Sequence, residues 1–599
     1  MPRTIASLVF LALVAVASLD LGAPRRAFAQ TWPRTTAERT DFDSTSTSVQ
    51  VGLFLDSLQI AEAQAAAASG NGAAGASGTA GATGSAGAAA ATPGSPAVPI
   101  AVSVFGHSAY GRPLYLAIAS DPPVTSPAEA AASGRLVVYL QGNIHAGEVE
   151  GKEAILILLR ELATTRRDLL QKLVILAAPD YNPDGNDAFG PEAVNRSDQD
   201  GPPWVGRRSD ALNLDLNRDY LKAEAPETRA SLARIYDTWD PALMVDCHTT
   251  DGTRHGYLLT YAPPLSPNGP SGPTDYVRDR MLPALERTMD AAHEPIFVYG
   301  DVDDPTAPTS WDTYAPLGWY GTNYVGLRGR MAILSEAYAH ADFATRIRVT
   351  HDFLVAILEY AAAHAEEIRG IERDADRETT LEGEGALPRP QLAVEYSMDA
   401  RGTEPVSLEI LRVGGPGDTT ARGRPVLTPT GRYRTVQLPI RDRFADSVER
   451  PVPAGYFVPA GAEGVAQLLA VHGVQVERLA ADWTDTVEVV AIQQLTWQPA
   501  EFQGHHLLAV SGSYARVVHT APAGSYFVST AQPLGRLVFA LLEPEGWGLA
   551  RWGMFDRLLG AEFGAYSGLV YASTGVRQFP VWRALRTPGV PMRVYHGEQ

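Results

Sequence analysis

A histidine and a glutamate three residues apart, His145 and Glu148, form the most suggestive chemical pair in the sequence. They stand among glycines shortly after the apolar run Leu136–Leu140, which is predicted to be a strand. Two ligands from one turn can bind the same cation, and a mixed imidazole and carboxylate pair suits Zn²⁺. Spacing alone is weak evidence, because His364 and Glu367 repeat it within a predicted helix, where a solvated helix face is the expected structure.

A catalytic zinc ion needs a third protein ligand and an open position for water. His248 is the candidate, because of the thirteen histidines only His145 and His248 end an apolar strand cleanly; taken alone, it could equally be a structural histidine. Cys247 is a rival as a thiolate ligand or nucleophile. Neighbours in a strand point to opposite faces, so Cys247 is expected to point into the core if His248 faces a crevice.

Two further segments place polar groups beside apolar runs. Asn217 and Arg218, at the end of a predicted strand, could clamp a carboxylate by forked hydrogen bonds. Asp215 could accept the second ring proton of a metal-bound histidine and fix its tautomer. Glu336, buried beside a Lewis-acid metal, could take a proton from water and return it. The alternatives are a surface strand with salt bridges for the first segment and a cap or ion-pair partner for Glu336.

The elements that must position these side chains alternate along the chain between strand-length apolar runs and helical periods. The predicted strands include Leu136–Leu140, Val174–Ala178, Leu243–Val245 and Met331–Leu334, and the predicted helices include Glu150–Leu162 and Ile347–Ala363. This alternation predicts an α/β fold with helices on both faces of a sheet. Ligands of such sheets bind at the carboxyl ends of the strands, where His145, His248 and Glu336 are expected.

Composition limits the class of protein and its partners. With 599 residues, 45% of them hydrophobic and 20% charged, the chain is long and apolar enough for more than one folded domain. It carries 49 basic and 68 acidic residues, a net charge of -19, without a dense basic patch, so no nucleic-acid partner is expected. A single cysteine excludes an intramolecular disulfide.

The N-terminal residues have the pattern of an export signal. Residues 1–29 are predicted to be a signal peptide, with an apolar run from Ile5 to Leu19 and a small-x-small cleavage site at Ala27–Ala29. An uncleaved membrane anchor is the alternative, although fifteen residues are fewer than the roughly 20 that span a bilayer. The protein is therefore expected to be secreted or periplasmic, with no stable membrane insertion after cleavage.

Changes in composition predict the remaining boundaries. Residues 30–60 are expected to pack on the next domain, partly as an amphipathic helix. The Ala- and Gly-rich residues 61–99 are expected to form a flexible insert, because few of their side chains are large enough to bury. An α/β domain over residues 100–371 is followed by a charged linker at residues 372–386. Short β-type runs then predict a mainly-β C-terminal domain over residues 387–599.

Five motifs, taken in order, resemble those of the zinc carboxypeptidase family, the metallocarboxypeptidase A-like peptidases (peptidase M14). They are His145-x-x-Glu148 after a strand, Asn182–Gly185 in a turn after the next strand, Asp215–Arg218, His248 after a further strand, and Glu336 after the last. The resemblance covers roughly residues 36–369, and the C-terminal region resembles the β extension of long bacterial members. It implies a zinc carboxypeptidase-like fold with a mixed sheet.

The resemblance also implies roles for these residues. His145, Glu148 and His248 would hold one zinc ion, and Asp215 would orient His145. Glu336 would act as general base and then as general acid. The implied function is a secreted zinc-dependent metallocarboxypeptidase that hydrolyses the C-terminal bonds of peptides or proteins with a zinc-activated water and a glutamate base.

Substrate contacts follow from the same resemblance. Asn217 and Arg218 would bind the terminal carboxylate of the substrate. An arginine upstream of this pair polarises the scissile carbonyl in the family, and Arg208 is assigned to it, with Arg207 as the alternative.

A tyrosine that closes over the substrate in the family corresponds to Tyr324 or to Tyr320, both in a predicted loop over residues 319–329; Tyr324 is the assignment. Two other functions remain open. One is a zinc amide hydrolase of similar fold that acts on acylated amino acids or cell-wall peptides. The other is a non-catalytic binding protein with a decayed site.

Overall fold

A mixed sheet runs through the first half of the chain in the computed structural model, which describes residues 32–70, 98–415, 418–420, 426–560 and 577–597. The strands up to residue 337 are β1 (Ile100–His107), β2 (Pro113–Ala119), β3 (Leu136–Gly142), β4 (Leu173–Ala178), β5 (Gly190–Pro191), β6 (Trp204–Val205), β7 (Leu243–Thr249), β8 (Leu259–Ala262), β9 (Ile296–Val298), β10 (Asp301–Val302), β11 (Trp311–Asp312) and β12 (Met331–Ala337). Eight of them form one sheet in the order β1-β2-β4-β3-β7-β12-β8-β9. Strand β7 pairs in parallel with β3 and β12, whereas β12 and β8 are antiparallel.

Helices cover both faces of this sheet. The α-helices of the described residues are α1 (Thr36–Arg39), α2 (Ser48–Gly70), α3 (Pro127–Ser133), α4 (Glu150–Ala163), α5 (Pro183–Asp187), α6 (Glu192–Asn195), α7 (Pro226–Ser231), α8 (Ser271–Tyr276), α9 (Leu282–Ala291), α10 (Gly321–Leu327), α11 (Phe343–Ala363), α12 (Ala365–Glu384), α13 (Glu463–Val471), α14 (Gly535–Leu542) and α15 (Asp556–Leu559). Alternate residues of β7 enter two cores: Leu243 and Val245 pack in the core that includes α4 and α11, and Met244 packs in the core that includes α10 and α14. The predicted α/β class is confirmed.

The second half of the chain is rich in strands, as predicted. They are β13 (Gln391–Asp399), β14 (Gly402–Val413), β15 (Leu427–Arg441), β16 (Arg443–Pro451), β17 (Gly455–Val458), β18 (Val476–Leu479), β19 (Trp483–Trp497), β20 (Leu508–Ala521), β21 (Tyr526–Ser529), β22 (Arg577–Gln578), β23 (Trp582–Ala584) and β24 (Met592–Tyr595). Most of them form a sheet in the order β20-β19-β23-β17-β21-β18-β24. Strands β15 and β14 instead join β10 and β11 of the first half in one small sheet, with β11 and β15 parallel.

Some segments differ from the sequence prediction. Helix α2 extends to Gly70, beyond the predicted end at residue 60, because its last turns are alanine-rich and alanine is the strongest helix former. Residues 372–384, expected to be a linker, form the second half of α12, where Arg330 pairs with Asp376 at 2.7 Å. The predicted signal peptide and residues 71–97 of the predicted insert lie outside the described residues. Within the described ranges, no helix is both long and apolar enough to span a bilayer.

A close approach between β7 and α4 fixes the edge of the sheet where the strands end. A Cβ atom added to Gly151 would lie 2.4 Å from the Cβ of Cys247. Glycine therefore lets the first turn of α4 pack directly on β7. Cys247 is buried in this contact, and burial raises the pKa of its thiol well above the usual range. This position agrees with an inert core cysteine, which the strand alternation predicted.

The substitution Gly151→Ala should lower the free energy of unfolding by about 1–3 kcal/mol, because the added methyl group overpacks the contact with Cys247. Chemical denaturation measures the change. Gly370→Ala is the matched control: Gly370 is also helical, but a Cβ there meets no atom within 4 Å, so up to about 1 kcal/mol of stabilisation is expected from helix propensity. Equal effects of the two substitutions would contradict the packing argument.

Candidate active site

Three neighbouring strands end at one cavity of about 170 Å³. Strand β3 leads into the turn that carries His145 and Glu148, β7 contains His248, and β12 contains Glu336. The parallel register of β7 and β12 pairs His248 with Glu336. Of the predicted site residues, those that line the cavity are His145, Glu148, Arg208, Asn217, Arg218, His248 and Glu336. The structure thus brings together side chains that are up to about two hundred residues apart in sequence.

The side chains of His145, Glu148 and His248 fit a metal ion. Their candidate ligand atoms all lie within 4.8 Å of one another, and all three residues are buried. The Nδ1 atom of His248 lies 3.1 Å from Nδ1 of His145 and 2.9 Å from a carboxylate oxygen of Glu148. Two ring nitrogens and a carboxylate that converge in this way can bind one divalent cation, and this mixed donor set suits zinc.

A carboxylate lies beside the other ring nitrogen of each histidine. Asp215 Oδ1 accepts a hydrogen bond from His145 Nε2 at 3.0 Å. Asp246 Oδ2 lies 3.1 Å from His248 Nε2. These carboxylates favour a proton on Nε2 and leave Nδ1 free to bind a cation. Asp215 was predicted from the sequence and Asp246 was not, although the position of Asp246 two residues before His248 in a strand places both side chains on one face.

Positive groups keep the buried carboxylates of this cluster ionised. Burial alone would raise the pKa of Glu148, but His145 and Arg196 lower it to well below its usual range. Burial would likewise raise the pKa of Asp215, and His145 and Arg208 lower it below the usual range of an aspartate. Both groups are therefore anionic at neutral pH, as a cation site requires.

Glu336 has the opposite behaviour. Burial raises the pKa of its carboxyl group well above the usual range, and the negative charges of Glu148 and Asp251 raise it further, although His248 opposes them. The pKa of His248 is itself raised, because Asp246 outweighs the effect of burial. A carboxylate with a raised pKa is a stronger proton acceptor than an ordinary carboxylate.

Arg208 and Arg207 have different positions. Arg208 lines the cavity and contacts Asp215 Oδ2 at 3.0 Å and Glu148 Oε1 at 3.3 Å, with 36% of its side chain exposed. Arg207 donates to the carbonyl of Asp210 and does not line the cavity. Arg196 contacts Glu148 Oε1 at 2.9 Å and was not predicted, because no local sequence pattern distinguishes it.

Asn217 and Arg218 lie in a single 3-10 turn, Leu216–Arg218, and not at the end of a strand as predicted. The reason is local: the side chain of Asp215 accepts a hydrogen bond from the backbone of Asn217 at 3.0 Å and caps the turn. The guanidinium of Arg218 lies 4.4 Å from the centre of the Tyr320 ring. This cation-π contact holds Arg218 in place at the wall of the cavity.

The assignment of Tyr324 needs correction. Residues 321–327 form α10 and not a loop, and this helix buries Tyr324 completely, where its hydroxyl contacts His472 Nδ1 at 2.9 Å. Tyr320, the alternative, precedes the helix and lines the cavity. Tyr299 and Tyr314 also line it and were missed, because they lie in segments without a clear periodic pattern.

Replacing His248 with alanine should reduce the bound zinc from about one ion per chain to a small fraction, because two ligands hold zinc far less tightly than three. Elemental analysis after dialysis measures the metal content. His364→Ala is the control: His364 pairs with Glu367 at the same sequence spacing and a distance of 3.2 Å, but outside the cavity. Full zinc retention by the His248 variant would contradict the site.

Comparisons with known proteins agree with this geometry. Residues 97–251 match the sequence model of the zinc carboxypeptidase family, Peptidase_M14; the match contains the three candidate ligands, whereas Glu336 lies beyond it. The chain is 25% identical over 451 residues to Carboxypeptidase 2 of Trichophyton rubrum, covering 70% of this chain and 74% of that protein. It is 31% identical over 150 residues to Carboxypeptidase D of Mus musculus, covering 21% of this chain and 11% of that protein.

Carboxypeptidase A from Helicoverpa armigera is a similar solved structure, with a TM-score of 0.34 and 14% identity over 54% of this chain and 75% of that chain. The Carboxypeptidase 2 relatives are fungal, so they do not support the expected likeness to bacterial members. Residues 97–251 are thus similar to the zinc carboxypeptidase family, and a larger part of the chain is similar to fungal proteins named Carboxypeptidase 2.

Proposed function

We propose that this chain is a secreted metallocarboxypeptidase that removes the C-terminal residues of peptides, with one zinc ion held by His145, Glu148 and His248. The supporting observation is a single cavity that contains these three side chains, a buried glutamate and the pair Asn217 and Arg218. A metal site alone would fit many hydrolases. The adjacent guanidinium is what favours an exopeptidase.

Hydrolysis of an amide needs a nucleophile, a proton carrier and stabilisation of the charge that develops on oxygen. A bound zinc ion supplies Lewis acidity, which polarises a carbonyl and makes water more acidic. Glu336, with its raised pKa, takes a proton from water and delivers it to the leaving amine. Arg208 is held by Asp215 and Glu148 and donates to the carbonyl oxygen as negative charge builds there.

Arg218 and Asn217 recognise the free carboxylate of the last residue. A guanidinium matches a carboxylate with two parallel hydrogen bonds, and the contact with the Tyr320 ring restricts the movement of Arg218. An internal peptide bond is not followed by a free carboxylate that could reach Arg218, so binding at Arg218 restricts cleavage to the last bond.

The proposal of export rests on the pattern of residues 1–29, which predicts a mature protein that starts at Gln30.

Glu336→Gln should lower kcat by about 10²- to 10⁴-fold, because glutamine fills the same space but cannot accept the proton. Zinc content should stay at the wild-type level, since Glu336 is outside the cluster of ligands. Release of C-terminal residues measured by mass spectrometry, with parallel metal analysis, checks both. The exposed Glu366→Gln variant serves as control, and near-wild-type turnover of Glu336→Gln would remove it from the proposed role.

Arg218→Ala should lower kcat/KM for free-acid peptides by about 30-fold or more, the loss expected for a charged hydrogen-bonded pair. Peptides with an amidated C-terminus should be poor substrates for the wild type and should change little in the variant. Arg207→Ala is the matched control, because it also removes an arginine near the site but one that does not line the cavity. Equal wild-type rates on free-acid and amidated peptides would favour the amide hydrolase alternative.

A further inference from the structure

A loop of the C-terminal region reaches the segment that supports the metal ligands. This loop, residues 498–507 between β19 and β20, is called here the Gln503 loop. The side-chain oxygen of Gln503 accepts a hydrogen bond from the backbone N–H of Asp215 at 2.7 Å, across 288 residues of sequence. The contact is therefore a tertiary one that joins the two halves of the chain directly behind the cavity.

The side chain of Asp215 contacts three parts of the candidate site. Its carboxylate contacts His145 Nε2 at 3.0 Å and Arg208 Nε at 3.0 Å, and it accepts from the backbone of Asn217 at 3.0 Å. One side chain thus orients a metal ligand, a cavity arginine and the turn that carries Arg218. Any shift of the Asp215 backbone moves all three contacts, and the hydrogen bond from the Asp215 N–H to Gln503 restricts such a shift.

The Gln503 loop is fixed in a demanding conformation. Gln503 has φ +52°, a left-handed conformation that is unfavourable for residues other than glycine. Backbone hydrogen bonds join Phe502 and His505 in both directions, at 2.8 and 3.0 Å, and close the loop tightly around it. Strained conformations of this kind persist where the surroundings hold them, and they cluster at functional sites.

Further contacts hold the loop against the first half of the chain. The ring of Phe502 packs with its centre 5.7 Å from that of Trp319, next to Tyr320. His505 Nε2 lies 2.8 Å from a carboxylate oxygen of Glu224. The loop therefore contacts the site segment at Asp215 and at Glu224, as well as the aromatic group that supports Arg218. Such a three-point attachment defines the position of Gln503 relative to the cavity.

We propose that Gln503 is a positioning residue of the active site, which acts through Asp215 on the orientation of His145 and Arg208. The C-terminal region is then a part of the site and not only a cover over it. This inference rests on the proposed function for its kinetic consequence. Its consequence for metal affinity needs only the three ligands, because a ligand histidine that is held less firmly binds its metal less tightly.

The test compares Gln503→Met, which keeps the shape but loses the acceptor, with Gln503→Glu, which keeps an acceptor at the same reach. Gln503→Met should weaken zinc affinity by about 10-fold in competition with a chromophoric chelator, the loss typical of residues that orient metal ligands. Its kcat/KM for free-acid peptides should fall by at least about 10-fold, because a shift of the Asp215 backbone also moves the turn that carries Arg218. Gln503→Glu should stay within about 3-fold of the wild type in both measurements.

Gln494→Met is the matched control. Gln494 lies in β19 and donates one side-chain hydrogen bond to Thr496, away from the cavity. It should leave zinc affinity and kcat/KM unchanged. Unchanged zinc affinity in Gln503→Met, a loss that Gln503→Glu fails to restore, or an equal loss in Gln494→Met would each overturn the proposal. If the wild type binds zinc but cleaves no peptide, the proposed function fails, and the chelator competition still decides the role of Gln503.

Discussion

Buried carboxylates beside imidazole and guanidinium groups are the constraint on which this site depends. Taking Glu148 and Asp215 out of water is costly unless charged or hydrogen-bonding partners surround them. Arg196 and Arg208 supply part of that compensation, and both contact the same oxygen of Glu148. These partners offset the cost of burying the carboxylates only when they lie within contact distance. The cluster can therefore be stable only when several distant segments of the chain meet in one arrangement.

The sheet supplies that arrangement. Parallel pairing of β7 with β3 and β12 brings the carboxyl ends of three strands to one edge, so residues that follow in sequence from each strand meet in space. The absence of a side chain at Gly151 lets α4 begin directly against β7. The turn with His145 and Glu148 is thus held between a strand and a helix, which leaves its side chains little freedom.

The site residues that could be predicted from the sequence are those that lie in or next to predicted strands. His145, His248 and Glu336 follow or end apolar runs whose alternation marks strands, and the topology of parallel strands then places them together. Asp246 could have been predicted by the same reasoning, because alternate residues of a strand share a face. Arg196, Tyr299 and Gln503 were not, because their place in the structure depends on how loops cross the sheet and not on any local pattern.

Errors in the sequence prediction had local physical causes. The segment after Asp215 was read as a strand from its alternating pattern, but the aspartate side chain bonds the backbone two residues on and bends it into a turn. Tyr324 was assigned from residues 319–329, a segment with several glycines that was predicted to be a loop. Those glycines instead permit close packing, since a Cβ at Gly321 would lie 2.9 Å from the ring of Tyr220.

The small sheet that combines β10 and β11 with β15 and β14 has a consequence for how this protein can be divided. Residue 386 ends the predicted linker, yet a fragment that ends there would lose β15, the parallel partner of β11. It would also lose His472, which accepts from the Tyr324 hydroxyl and donates to the carbonyl of Leu221 inside the core. A trimmed fragment that keeps the candidate site is therefore not obtained by deletion alone, because these buried polar groups would need new partners. The two halves should melt in one cooperative transition.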